Sequence, residues 1–194
     1  HDMGKCKREF QTYLEKSFYG ENVTKGSVVH TFAGAKYVLE RFHHEKDSEI
    51  SCIIAEIIAY AVGAHHGLFD INMAGKENGF QHRLNAVDIG YEESKHVFFE
   101  NCMDEERIDI LMKDAEEELW GIISNRILDL YNKENKSEAD AEIAFHMGLL
   151  ERLVLSSVIE GDRSDTASFM SGKPYSIRED VNWKDFLDKI ELKL

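Results

Sequence analysis

His1-Asp2, His30, His65-His66 and Asp162 are the residues whose types and placement could do chemistry. Imidazole mixed with carboxylate is a donor set for Fe, Mn, Co, Ni or Zn, whereas Ca prefers an all-oxygen shell. A carboxylate beside a histidine can also bridge two ions about 3.5–4 Å apart, the spacing that clamps a phosphoryl group during in-line displacement. Each feature alone has a bland reading: a His-Asp pair arises by chance, and a single histidine on an apolar helix is more often a satisfied core residue than a ligand. Their positions are more informative. His65-His66 closes an apolar run from Ile53 to Ala64 and is followed at once by Gly67. His30 opens another helical stretch, and Asp162 lies just past an apolar segment that ends at Val158. Element ends are where side chains from several helices can converge on a cavity. The other histidines carry no such signal: His43 and His44 sit in a charged stretch and read as solvated, and His82, His96 and His146 show no partner.

The elements that must hold these residues are helical. Ile53, Ile57, Ile58 and Ala61 share one stripe of a segment expected from Asp47 to Ala64,. A segment from Asp104 to about Tyr131 carries Ile108, Leu111, Met112, Ala115, Leu119 and Ile122 at helical spacing, with its other face charged,. Ile143, Met147, Leu150, Val154 and Val158 mark a third helix over 137–158, with Ser137 and Asp140 suited to capping its start,. Shorter helices are expected over 7–16, 28–42, 92–101 and 183–190. Loops are expected at 20–26, 75–79, 132–136 and 171–174. No alternating β-branched run persists. The expectation is one all-α domain spanning residues 1–194.

Four separated segments then resemble a known family, the HD-domain metal-dependent phosphohydrolases, and within it the HD nuclease domain of CRISPR-associated Cas3 proteins. His1-Asp2-Met3-Gly4-Lys5 with Phe10-Gln11-Thr12-Tyr13-Leu14 is similar to the HDxGK…FQxYL opening. His30-Thr31-Phe32-Ala33-Gly34-Ala35 resembles the H-[ST]-x-AGA element, His65-His66-Gly67 the HHG, and Asp162-Arg163-Ser164-Asp165-Thr166 the DRxDT. The resemblance covers roughly residues 1–170. It implies an all-α helical bundle with a metal site between helices.

Carried onto this chain, the family's site implies Asp2 as a carboxylate bridging two divalent ions (Mn, Fe, Co, Ni or Mg). Asp2, His30, His65 and His66 would hold one ion. His1, Asp2 and Asp162 would hold the other, together with a histidine that the family carries upstream of its HD and that is missing from these residues. Lys5 would face the scissile phosphate as a fixed cation, and Thr31 would hydrogen-bond substrate or water. The last motif departs from the family's usual Asp-Ala-Asp-Arg, reading Glu160-Gly161-Asp162-Arg163; the second acid is kept, so Asp162 is the expected ligand and Asp165 a turn cap. The implied activity is metal-assisted hydrolysis of single-stranded DNA in CRISPR interference. The implied partners are a superfamily 2 helicase domain or subunit, for which no GxxxxGK[ST] phosphate loop appears in these residues, and a Cascade-type effector complex.

Composition bounds this reading. Three cysteines, Cys6, Cys52 and Cys102, are odd in number and make no CxxC pair, which suggests reduced thiols and a cytoplasmic protein,. No apolar run is long enough to span a membrane. A net charge of −14 argues against a broad basic DNA-reading face,. The acid is uneven, however: residues 104–118 hold eight Asp/Glu against Arg107 and Lys113, while the first 46 residues are more basic than acidic. The acidic segment reads as a solvated face. Two alternatives remain at this level, a phosphohydrolase of small nucleotides and a metal-binding scaffold without turnover.

Overall fold

The 3.6-residue periodicity becomes helices in a computed structural model, which describes residues 1–24, 26–67, 79–127, 130, 136–174 and 184. The chain divides into two compact units, His1–Ile159 and Glu160–Leu194. In the first, a 3-10 turn over Asp2–Cys6 leads into α1 (Arg8–Phe18), followed by α2 (Phe32–Phe42) and α3 (Glu49–Ala64). Next come α4 (Gly79–Leu84), a 3-10 turn (Val87–Ile89), α5 (Tyr91–Asn101) and α6 (Glu105–Ile122), which runs into a π turn (Ile123–Ile127). The last helix, α7 (Lys136–Ser171), gives its final turns to the second unit. The described residues contain no strand, and the fold is all-α, as expected. Among them no helix is long and apolar enough to cross a membrane. Cys6, Cys52 and Cys102 are free thiols.

Packing centres on α2 and α3. Ala33, Ala35, Ala55 and Ala59 have no exposed surface, because small side chains let the two helices and the first 3-10 turn approach closely. A Cβ at Gly34 would meet Val62 at 3.5 Å, Met3 at 3.8 Å and the His1 Cα at 3.9 Å, so the AGA segment is pressed against the His-Asp dipeptide. Phe32 and Tyr37 fill the same core with Met3, Phe80, Leu84 and Tyr91. A second cluster joins Ile54 and Ala55 to Met112 and Leu119 of α6, with Leu150 of α7 packed against it. At full burial, each large apolar side chain contributes roughly 1.5–3 kcal/mol.

Several expected boundaries shift. His30 does not open a helix: Val28, Val29 and Thr31 precede the first helical residue, Phe32, and His30 projects from this β-branched approach. The third helix does not stop near Val158. It continues through Gly161 to Ser171, where Gly172 (φ 63°) ends it in the left-handed conformation,. Ser137 therefore lies inside the helix, not at its cap, and Asp165 is mid-helix, not a turn cap. On α6 the inward stripe is Ile108, Met112, Ala115 and Leu119; Leu111 and Ile122 are exposed. Residues 75–78, 128–129, 131–135 and 183–190, Lys184 apart, lie outside the described set, with the loops and the short helix expected there.

The acidic helix α6 is not merely a solvated face. Arg41 of α2 grips Asp109 with two hydrogen bonds, Nε to Oδ1 at 2.9 Å and an Nη to Oδ2 at 2.7 Å, and also reaches Glu105 at 3.6 Å. The Tyr37 hydroxyl donates to Glu105 at 3.0 Å. Arg41 holds the Asp109 carboxyl below the ordinary carboxylate range. A depressed pKa makes the pair stabilising above the unfolded value, near 4, and that contribution is lost as pH falls through the folded one. Both partners are more than a third exposed, so Arg41→Ala should cost about 1 kcal/mol or less at pH 7 in low salt,. The cost should shrink below about pH 4. Urea titrations of both proteins at pH 7 and pH 3 check this, and a cost that grows on acidification would refute it.

Candidate metal centre

His65 and His66 follow α3 directly. Ser48 caps the start of α3 by accepting from the Ser51 N–H at 3.1 Å, and the Gly67 N–H bonds the Ala64 carbonyl at 2.8 Å as the chain turns away,. His65 is buried, and its Nδ1 contacts the Val62 carbonyl at 2.5 Å. A carbonyl only accepts, so Nδ1 carries the proton and Nε2 keeps its lone pair. His30 is oriented the same way, its Nδ1 donating to the Val28 carbonyl at 3.4 Å. Its Nε2 then meets His66 Nε2 at 2.8 Å. One ligand nitrogen from each of His30, His65 and His66 lies within 4.8 Å of the others.

The HD dipeptide sits beside this cluster. The His1 ring packs edge-on against His65 at a centroid distance of 5.2 Å, and His1 Nε2 approaches Asp2 Oδ1 at 3.1 Å. Lys5 Nζ, one turn along, pairs with the same oxygen at 2.6 Å. Burial is the largest influence on His30 and lowers its pKa; His66 and Lys5 lower it further, against the Val28 bond and Asp2. Its neutral form, the one that ligates metals, is thus favoured. Thr31 is buried between His30 and Phe32 at the start of α2.

A metal ion suits this donor set. Two nitrogens at about 2.1 Å from one ion stand about 3.4 Å apart at the tetrahedral angle, and His30 and His66 already face each other at 2.8 Å,. Backbone carbonyls fix the tautomer of two of the three rings, the orienting role such partners play around bound metals,. Of the expected site residues, His1, Asp2, Lys5, His30, Thr31, His65 and His66 are all in the first unit. Asp162 is a half-buried residue of α7 within the second unit.

Two positions matter here that residue type alone does not mark. A Cβ on Gly4 would overlap the His30 carbonyl oxygen and lie 2.6 Å from its carbon and 2.9 Å from its Cα, so only glycine lets the HD turn pass this strand of backbone. Gly90 holds φ at 60°, and a side chain there would strike Lys7 at 2.9 Å; Lys7 is itself buried where the HD turn enters α1,.

An all-helical core with converging imidazoles beside a His-Asp dipeptide is the arrangement of an HD-type metal-dependent hydrolase. The sequence profile described as "Cas3, HD domain" matches residues 1–145, three quarters of the chain, and the chain belongs to that family. It is thereby an HD nuclease domain of CRISPR systems, acting on nucleic acid by metal-dependent hydrolysis. The matched span ends before Asp162. No curated protein and no solved structure matches the chain.

Proposed function

We propose that this chain cleaves single-stranded DNA during CRISPR interference, with residues 1–194 working as one nuclease domain in the cytoplasm. The convergence of His30, His65 and His66 beside Asp2 and Lys5 carries the proposal. In this reading His30, His65, His66 and Asp2 hold one divalent ion, and His1, Asp2 and Asp162 contribute to a second. Mn, Fe, Co, Ni or Mg suits these donors. Such ions, when bound, supply Lewis-acid charge to the phosphoryl oxygens and acidify water towards neutral pH.

The chain's own groups then bind and orient. Asp2 holds Lys5 through the 2.6 Å pair, so the ammonium is positioned in advance for a phosphate oxygen where charge develops,. The Val62 and Val28 carbonyls keep the His65 and His30 rings turned to the same point. Thr31, buried at the start of α2 and lining the cavity beside His30 and His66, is assigned to hydrogen-bond the substrate. A superfamily 2 helicase, as a further domain or a subunit, would deliver the strand. A Cascade-type complex would select the DNA and offset the repulsion expected of a chain at −14,.

The test is to incubate the metal-loaded protein with circular single-stranded DNA and, separately, with a panel of nucleotides. Cleavage of the circle, abolished by a chelator and restored by added Mn(II), is the expected result. Hydrolysis of nucleotides with an intact circle would replace this reading with a small-nucleotide phosphohydrolase. Turnover of neither, with metal bound, would point to a scaffold.

A further inference from the structure

A cavity of about 470 Å³ opens directly beside His30 and His66, walled by Phe10, Tyr13, Val28, Val29 and Arg83. Its floor is aromatic. Phe10 packs on the His30 ring at 4.6 Å, and the Tyr13 ring leans on Phe10 at 5.7 Å. Phe10 is buried, whereas Tyr13 on the next turn of α1 is half-buried and lines the same cavity. Beyond Tyr13 and Val28, which wall both spaces, lies a second cavity of about 530 Å³. Arg8 and Lys16 line it, with the hydroxyl-bearing residues Thr12, Thr24 and Ser27. Its two acids are engaged: Glu93 accepts from the Arg8 backbone N–H at 3.0 Å, and Glu9 faces Lys7 at 3.5 Å.

An aromatic pocket next to the imidazoles, leading over one ring into a space with cations and hydroxyls, has the alternation of a single nucleic-acid strand. Bases stack on aromatic rings, and phosphates take cations and hydroxyl donors. From this continuity we propose that the pocket receives the base beside the scissile phosphate, and that the strand passes over Tyr13 so that its next phosphate meets Arg8 and Lys16. The inference rests on the single-strand nuclease reading above. It also gives that reading a physical filter, because a base enters a side pocket only when it is unpaired and unstacked.

Binding is measured by fluorescence anisotropy on the full chain in chelator, with oligodeoxythymidylate and an abasic oligomer of equal length. The wild type should prefer the base-bearing strand by about tenfold, within what one stacked base supplies. Tyr13→Ala should erase that preference and Tyr13→Phe should keep it, while Arg8→Ala weakens both oligomers alike. Equal binding of the two oligomers by the wild type, or a preference that survives Tyr13→Ala, overturns the pocket. The parent reading is scored separately on the metal-loaded wild type. An intact circle with the base preference present sinks the nuclease and leaves the base pocket standing, whereas cleavage without a base preference does the reverse.

Discussion

Gly4→Ala should strip this protein of metal binding and cleavage together, although alanine is neither charged nor bulky. The added methyl would collide with three backbone atoms of His30, and no rotamer change can relieve a backbone collision. Either the HD turn lifts away from the Val28–Thr31 approach or His30 retreats from His66. Overpacking of this kind costs about 1–3 kcal/mol. The functional loss should be larger, since a displacement of about 1 Å at a positioned group can cost a hundredfold. Titration calorimetry with Mn(II) and a thermal melt read the two effects independently. A Gly4→Ala protein that binds metal and melts like the wild type would show that the HD turn and His30 do not need this contact.

Asp2→Asn makes the opposite separation. The Asp2 side chain is about half exposed, and it pairs with His1 and Lys5. Losing such a surface pair should change stability by less than about 1 kcal/mol. The amide keeps the shape and removes the charge that would bridge two ions and that holds Lys5 in place. Cleavage should fall by more than about a hundredfold, since the loss of even an outer-shell partner of a metal site costs 10- to 100-fold. Wild-type cleavage by Asp2→Asn would refute the two-ion assignment, whatever the folded state does.

Much of the helical core was legible because its apolar positions recur every three or four residues, as along α6; on α3 the stripe of Ile53, Ile57 and Ile58 is only half-buried, and the buried line is Ile54, Ala55, Ala59 and Val62, one position round the helix. The His65-His66 pair was legible as a terminus because Gly67 follows it. Other features had no periodic signal to read. The 3-10 turn that His1 precedes and Asp2 opens is five residues long, too short to show a stripe. The apolar stripe stops at Val158, yet α7 runs on through Gly161, since one glycine costs only about 1 kcal/mol in a helix interior,. Leu111 and Ile122 match the α6 spacing but fall at the edge of its stripe, and only the packing of α3 decides which edge is covered. The grip of Arg41 on Asp109 joins residues 68 positions apart, and the fit of Gly4 under His30 is likewise tertiary. Composition announces neither.

The meeting of His30 with His66 has a thermodynamic consequence as well as a chemical one. The two residues are 36 positions apart, and their rings come from an irregular approach and a helix terminus. An ion held by both would act as a covalent staple does, closing a loop that the denatured chain leaves open. By chain-entropy arithmetic such a closure is worth at most roughly 4 kcal/mol. Loading would then show in the melting curve before any substrate is added, with the midpoint climbing as the free ion concentration rises above its dissociation constant. A site that merely attracted cations to an acidic surface would lose this shift in high salt, whereas a stapled one would keep it.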